Sequence, residues 1–255
     1  AAASYAAKMV RDGGGFKTSS TTPVMIGQIQ VVKLLDATAA KKKVLDAKDE
    51  LLAKANAQDP ILNSFGGGAK DLDARVIGTS VGQMLIVHLY VDCRDAMGAN
   101  AVNTMAEAVA PMIESLTGGQ VYLRIISNLA TKRLVKAWCT VPKEAVGGEA
   151  VVDGIVYASA FAAADPYRGV THNKGIMNGI IAAVLATGND HRAIEAGAHA
   201  YASLKGQYTS LTSWTKNVNG DLEGVIELPM AIGLIGGAVK THPIAKIAVK
   251  ILGVK

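Results

Sequence analysis

The sequence predicts an α+β fold in two parts, and three observations support this class. The chain has 255 residues, of which 50% are hydrophobic, so it can bury a substantial core. Strand-like runs of branched residues alternate with charged helical stretches between residues 22 and 130, whereas both ends are rich in Ala. We therefore expect a small α/β domain at 22–130, inserted into a large domain of helices and sheet formed by 1–21 and 131–255.

The amino end is predicted to start inside a helix. Residues 1–12 have a helical pattern with no initiating Met and no capping residue ahead of them. The glycines at 13–15 end this helix, and the polar tract at 17–21 is predicted to lead into the second structural unit. The other end, 244–255, stops without a helix-stop signal. We expect the sequence to be an internal piece of a longer chain.

Strand and helix signals then follow one another through the middle of the chain. Branched and apolar residues from Val24 to Val32 predict a strand, and the charged stretch at 37–57 predicts a helix. The apolar run at 84–91 predicts a second strand, 100–116 a helix, and 121–126 a further strand.

Composition excludes several classes of function. The net charge of +5 is spread along the chain, and we interpret the one tight basic run, at 41–43, as a solvated helix face and not as a nucleic-acid site. Cys93 and Cys139 are far apart and the histidines lack zinc spacing, so we expect a reducing, cytoplasmic setting and no metal. No apolar run approaches the roughly 20 residues of a membrane helix, and we expect no membrane association.

One polar segment lies in an apolar neighbourhood. Residues 171–179 read THNKGIMNG, and Asp190 follows downstream. The flanks at 152–164 and 180–186 are mostly Ala, Val, Ile and Leu, so we expect Lys174 to be desolvated. A buried ammonium group needs a partner, and Asp190 is available. The same pattern also fits a buried ion pair that only joins two helices.

A second motif lies between the predicted strand at 84–91 and the helix at 100–116. Its sequence, DAMGAN at 95–100, has small residues that let backbone N–H groups approach a pyrophosphate at the helix start. A capped helix whose glycine is needed for close packing also explains this sequence. The pattern alone leaves both interpretations open.

Together these segments resemble the 3-hydroxy-3-methylglutaryl-coenzyme A (HMG-CoA) reductases, in particular their soluble bacterial class II. The resemblance runs nearly end to end. It rests on RDAMGANAVNTMAE at 94–107, TGGQV at 117–121, DPYR at 165–168, THNKGIMNG at 171–179, ATGND at 186–190 and GGAVKTHP at 236–243. It implies that the small domain is a ferredoxin-like nucleotide-binding domain inside a large substrate domain, and that the protein is a homodimer or a higher oligomer with sites at the subunit interface.

The resemblance also implies a role for individual residues. Lys174 would stabilise an oxyanion, and Asp190 would keep the ammonium group of Lys174 charged. The residues similar to cofactor-binding positions are Asp59, Asp95, Ala96, Met97, Gly98, Ala99, Asn100 and Asn103. Those similar to substrate-binding positions are Arg168, Thr171, Asn178 and Asn128. For Asp59 the alternative is an exposed acid that caps a turn before Pro60, and for Arg168 an ordinary surface ion pair.

The activity that the resemblance implies is reduction of HMG-CoA to mevalonate and coenzyme A by two reduced nicotinamides, or the reverse. A carboxylate at Asp59 favours NADH over NADPH, although NADPH stays possible. The family's catalytic glutamate and histidine fall upstream of Ala1 and beyond Lys255. Two alternatives remain: a cofactor-binding and acyl-coenzyme A-binding core without turnover, and an unrelated nucleotide-binding α/β enzyme, for which Lys174→Ala would leave activity untouched.

Overall fold

The computed structural model describes residues 2–236, 239 and 241–253. Within these residues the fold is α+β with two antiparallel four-stranded sheets. The helices are α1 (Ala2–Arg11), α2 (Ala37–Asp46), α3 (Lys48–Asn56), α4 (Pro60–Ser64), α5 (Ala99–Thr117), α6 (Lys143–Val146), α7 (Glu149–Ala164), α8 (Pro166–Ala186), α9 (His191–Tyr201) and α10 (Pro243–Ile251). The strands are β1 (Lys17–Ser20), β2 (Val24–Val32), β3 (Gly68–Thr79), β4 (Gly82–Asp92), β5 (Gln120–Ser127), β6 (Leu134–Val141), β7 (Thr212–Lys216) and β8 (Leu222–Pro229).

The chain forms two compact units. Unit 1 consists of Ala1–Thr21 and Leu134–Met230, and unit 2 of Thr22–Arg133 and Ala231–Lys255. The segment after Met230 thus groups with unit 2, whereas the sequence pattern assigned it to the large domain. The functional domain boundaries stay a prediction. In the predicted motif at 236–243, the positions 237, 238 and 240 lie outside the described residues, as do 1, 254 and 255 at the two predicted helical ends.

Unit 2 is built on the sheet β3-β4-β2-β5. Its chain order, β2, α2 with α3, β3, β4, α5 and β5, together with this strand order, is the ferredoxin-like β-α-β-β-α-β arrangement. Helix α5 packs on β2 and β5, and α3 packs on β3. The side chains of Met105 and Ile113 on α5 and of Leu51 on α3 are fully buried there. The α+β class and the small ferredoxin-like unit that we expected are both present.

Three local predictions were wrong in detail. The stretch at 37–57 is two helices, because Ala47 adopts a non-helical conformation between them. The tract at 17–21 is mostly strand β1, which pairs with β6 from Lys17 opposite Trp138 to Ser20 opposite Val135. Strand β3 was missed because its exposed side carries Asp and Arg residues, although it alternates with the buried Leu72.

Unit 1 is built on the sheet β1-β6-β8-β7, and α7 packs on β7. One core cluster there joins Val10 of α1, Val141 of β6, Val152 of α7 and Leu222 of β8. Helix α8 starts at Pro166, directly after Asp165, whose carboxylate accepts the amide of Arg168. A proline at the first helical position behind an acidic cap is a favourable helix start. Neither α8 nor any other helix of the described residues is long and apolar enough to cross a membrane.

Candidate functional site

Helix α8 places four of the predicted residues on one face. At about 100° per residue, Arg168, Thr171, Lys174 and Asn178 fall within a sector of about 120° around the helix. Thr171, Lys174 and Asn178 are exposed, and Arg168 is half-buried. The buried residues of this helix lie on the opposite sector and are Gly169, Asn173, Met177 and Val184. The helix therefore presents a cation, an amide, a hydroxyl and a guanidinium on one surface.

The predicted burial of Lys174 is wrong for this chain. Its side chain is exposed and has neither a hydrogen bond nor an ion pair among the described residues. The prediction failed because the surrounding apolar residues do not fold over the lysine: Leu185, in the flank at 180–186, is 59% exposed, and Tyr167 and Val170, just before the motif, are 90% and 50% exposed. Phe161 on α7 is exposed as well. The lysine thus stands beside an uncovered apolar surface.

Asp190 occupies the N-cap of α9. Its Oδ1 accepts the backbone amides of Arg192 and Ala193, each at 3.1 Å. No ion pair links it to Lys174 in the described part of the chain, so the predicted pair is absent here. The cap satisfies two amides of the helix start and uses a single carboxylate oxygen. Oδ2 has no hydrogen bond or ion pair with the described residues.

Arg168 is not an ordinary surface ion pair. None of the described carboxylates lies within ion-pair distance of its guanidinium. The pKa of His172 is lowered, first by burial of its own ring and second by the positive charge of Arg168. The ring of His172 instead hydrogen-bonds the hydroxyl of Thr212 at 2.7 Å, so this histidine points away from Lys174.

The predicted dinucleotide loop follows strand β4 in unit 2. Gly98 has a φ of 104°, in the left-handed region, and a Cβ there would overlap with the Sγ of Cys93, so only glycine fits. No described side chain hydrogen-bonds the start of α5, which begins at Ala99. The first-turn amides of a 19-residue helix are thus available to an anion. Asp95 and Asn100 beside them are exposed, and Ala96 and Met97 are half-buried.

Asp59 lies on a cavity of about 410 Å³ within unit 2. The lining includes Phe65, Arg94, Asp95 and Ile235. Asp59 also caps α4, because its Oδ1 accepts the amide of Leu62 at 2.8 Å. Asp59 therefore caps α4 and also lines this cavity, and its role toward a cofactor stays a prediction.

Arg94 holds one wall of that cavity. It is one of the described non-glycine residues with a positive φ, 50°. Its Nη2 donates to the carbonyl of Gly66 and lies 3.5 Å from the buried carboxylate of Asp92. A non-glycine residue in this strained region persists only where its surroundings hold it. Arg94 therefore fixes the Gly66 turn against the end of β4.

Two of the predicted asparagines differ in their contacts. Asn103 ties α5 to β5, because its Oδ1 accepts the amide of Ile126 at 2.9 Å. Asn128 is exposed after β5 and belongs to unit 2, whereas the residues on α8 belong to unit 1. The structure thus supports Asn103 as a packing residue of the helix and leaves Asn128 available for a ligand.

Comparison with known proteins agrees with these motifs. The family model described as hydroxymethylglutaryl-coenzyme A reductase matches residues 1–255. The chain belongs to this family. It is 62% identical over 254 residues to the 3-hydroxy-3-methylglutaryl-coenzyme A reductase of Archaeoglobus fulgidus, and 33% identical over 259 residues to the probable reductase of Borreliella burgdorferi. It covers 58% of each of these relatives, so it spans little more than half of their length.

A solved structure of the HMG-CoA reductase family has the same fold. The class II enzyme of Streptococcus pneumoniae, bound to NADPH in open conformations, matches with a TM-score of 0.96 at 42% identity. The alignment covers 100% of this chain and 63% of that one. The resemblance to class II reductases that the sequence motifs indicated is therefore confirmed at the level of family and fold.

Sequence reasoning missed one residue of the reductase motif at 171–179. Asn173 is fully buried, and its amide nitrogen donates to the hydroxyl of Tyr208 at 3.0 Å and to the carbonyl of Thr209 at 2.9 Å. Its Oδ1 accepts the amide of Leu211 at 2.9 Å. These bonds fix the rotation of α8. The signal was a polar residue at a position that the helical period places on the same side as Met177 and Val184.

Proposed function

We propose that the protein containing this chain is an NAD(P)H-dependent HMG-CoA reductase. It would reduce HMG-CoA to mevalonate and coenzyme A, or run the reverse reaction. The observation that carries the proposal is the face of α8, where Arg168, Thr171, Lys174 and Asn178 lie together in a chain of this family. The physiological direction is not fixed by these residues, because the same groups serve both directions.

Lys174 is proposed to stabilise the negative oxygen that forms when hydride adds to the thioester carbonyl. An ammonium group placed before the reaction lowers that barrier, and removing one such donor typically costs about 3–4 kcal/mol. Asn178 lies one turn further along the same face and adds an amide donor. An exposed lysine is a weak electrostatic catalyst, so the proposal requires that this face is covered in the complete protein.

Asp190 is proposed to keep Lys174 protonated. The open Oδ2 supports this role, because the N-cap bonds hold the carboxylate in place through Oδ1 alone. An opposite charge favours the ammonium form when the site is desolvated. Lys174 lies about 18 Å along the axis from the end of α8, which Asp190 follows, so the ion pair would require the carboxyl end of α8 to rearrange in the complete protein.

Arg168 is proposed to bind the carboxylate of the hydroxymethylglutaryl group. Its guanidinium lacks an acidic partner among the described residues, and a planar guanidinium can bind a carboxylate through two parallel hydrogen bonds. Thr171, one turn away, offers a hydroxyl on the same face. Asn128 is a further proposed substrate contact.

The cofactor is proposed to bind the cavity of unit 2. A reduced nicotinamide bound there supplies the hydride. The protein would offer the amides at the start of α5 to the pyrophosphate, together with Asp95, Ala96, Met97, Gly98, Ala99 and Asn100. Asp59 would accept hydrogen bonds from the adenine ribose through its free Oδ2 and would repel a 2′-phosphate. We therefore propose NADH as the preferred cofactor, with NADPH possible since the pneumococcal relative is solved with NADPH bound.

The partner proposed for the protein is a second copy of itself. Tyr157 and Phe161 on α7 and Tyr167 on α8 are 77%, 56% and 90% exposed, so large apolar side chains of both helices are uncovered in this chain. Large exposed apolar surfaces mark interaction sites. We propose a homodimer or higher oligomer, and gel filtration with light scattering tests this assembly. We also propose that the protein is located in the cytoplasm and has no nucleic-acid or membrane partner.

A second candidate function is a binding core without turnover. The observation that favours it is the contrast between the two sites: the cavity around Asp59 is formed within unit 2, whereas Lys174 is exposed. Such a core would bind dinucleotide or acyl-coenzyme A and consume neither. The complete protein, with the remainder that its relatives have, would differ from it in activity.

One experiment separates these functions. The chain and the full-length protein are each mixed with NADH and HMG-CoA, and then with NADPH, and the nicotinamide absorbance is followed. Turnover by the full-length protein supports the reductase proposal, and binding without turnover by the short chain identifies it as a core. If the full-length protein consumes neither cofactor, the proposal is wrong.

A further inference from the structure

Arg133 carries a buried positive charge for which no described carboxylate provides an ion pair. The residue is 7% exposed. Its Nη1 donates to the carbonyls of Ala96 and Met97 at 2.9 and 3.1 Å, and its Nη2 donates to the carbonyl of Ile232 at 2.5 Å. Burial lowers the pKa of this guanidinium. A buried charge is costly unless it is hydrogen-bonded, and three backbone carbonyls bond this one.

These bonds set the direction of a peptide in the dinucleotide loop. In a trans peptide the C=O and N–H point in opposite directions. Because the carbonyl of Met97 points at Arg133, the amide of Gly98 points away from it. Helix α5 begins at the next residue, Ala99, and no described side chain competes for its first amides.

The loop is also held by the segment after Met230. The carbonyl of Asp95 accepts the amides of Leu234 and Ile235 at 2.8 and 3.2 Å. A Cβ on Gly233 would overlap with the backbone nitrogen of Met97, so the two segments are in backbone contact. Arg133 spans both segments, because it bonds Ala96 and Met97 on one and Ile232 on the other. The guanidinium of Arg133 thus holds the dinucleotide loop and the segment after Met230 together.

We infer that Arg133 is a positioning residue for the dinucleotide. By holding the carbonyls of Ala96 and Met97, it aims the Gly98 amide and the start of α5 at the pyrophosphate. The inference rests on the proposed function, and it adds a residue outside the resemblance motifs. Lysine cannot replace it, because the three bonds need the planar fork of a guanidinium and an ammonium group is a compact point charge.

The test measures binding of NADH, ADP and adenosine to full-length wild type and Arg133→Lys, by calorimetry and ligand-observed NMR. Because Arg133→Lys loses buried hydrogen bonds of a charged group, the affinity for NADH and for ADP is expected to fall by about tenfold or more. Adenosine, which lacks phosphates, should bind as in wild type. In turnover, the KM for NADH should rise while kcat at saturating NADH and the KM for HMG-CoA stay the same. Arg75→Lys, at an exposed position on β3, is the matched control.

Two results would overturn the inference. Unchanged affinity for NADH and ADP would remove the role of Arg133, and equal weakening of adenosine would show general damage to the domain. If Arg133→Lys does not fold, Gly233→Ala, which displaces the same loop with Arg133 intact, should show the same loss of ADP relative to adenosine; retained ADP affinity would again overturn it. A wild type that binds neither NADH nor NADPH refutes the proposed function itself, before any variant is compared.

Discussion

Lys174 and Asn173 are neighbours in α8 and lie about 100° apart around the helix, so the ammonium group is exposed while the amide is fully buried. The two side chains therefore have different roles. The amide binds the 208–211 segment through three hydrogen bonds, and this fixes the direction in which the lysine points. Tyr208 in turn hydrogen-bonds His199 at 2.7 Å and stacks on its ring, which extends the support to α9.

Asn173→Ala should lower the free energy of unfolding by about 2–4 kcal/mol, because the amide of Leu211 and the carbonyl of Thr209 lose their buried partner. Urea unfolding followed by circular dichroism measures this. Asn178→Ala, at an exposed position on the same helix, is the matched control and should shift stability by about 0.5 kcal/mol or less. Equal losses in both variants would contradict the structural role of Asn173.

Lys174→Ala in the full-length protein should lower kcat by about 10²–10³-fold, because one oxyanion donor is lost. The KM for HMG-CoA should change far less. The unfolding midpoint should stay close to wild type, since the side chain is exposed in this chain. Steady-state kinetics measures the split, with Lys43→Ala on the exposed face of α2 as the control. An effect confined to KM would refute the oxyanion role.

Asp59 permits a test that separates its charge from its cap. Asp59→Ser retains a side-chain oxygen for the amide of Leu62 and removes the charge, whereas Asp59→Ala removes both. If the carboxylate selects the cofactor, both variants should lower the ratio of kcat/KM for NADH over NADPH, by about tenfold. The ratio is measured with each cofactor at saturating HMG-CoA. If only Asp59→Ala changes the ratio, the cap and not the charge is responsible.

The fold was predictable where periodicity is local. Strand β4 and helix α5 follow from runs of apolar residues in their own sequence. Strand β1 was not predictable in this way, because its four residues are all exposed and form a strand only by pairing with β6, more than 100 residues along the chain. A long-range partner leaves no local pattern.

The candidate site was predictable as a set of residues but not as an environment. The motif at 171–179 indicated the residues on α8, yet the apolar letters around Lys174 do not reveal whether anything covers them. Arg133 had no signal at all, since its partners Ala96, Met97 and Ile232 are 37, 36 and 99 residues away. Sequence patterns report neighbours in the chain, and a buried guanidinium that joins distant segments has none.

Cys93 should make stability depend on alkaline pH. Burial raises the pKa of its thiol to about 11, from 9.0. Because the folded pKa is the higher one, the stabilisation is complete below pH 9, falls as the pH rises from 9 to 11, and amounts to about 2–3 kcal/mol at most. Unfolding by urea between pH 8 and 11 measures it, and the difference between wild type and Cys93→Ala isolates this thiol from the Tyr and Lys groups that titrate in the same range. If the two proteins differ in free energy of unfolding by the same amount at every pH in that range, the prediction is contradicted. If the difference in free energy narrows with rising pH, the thiol beneath Gly98 is held neutral in the fold.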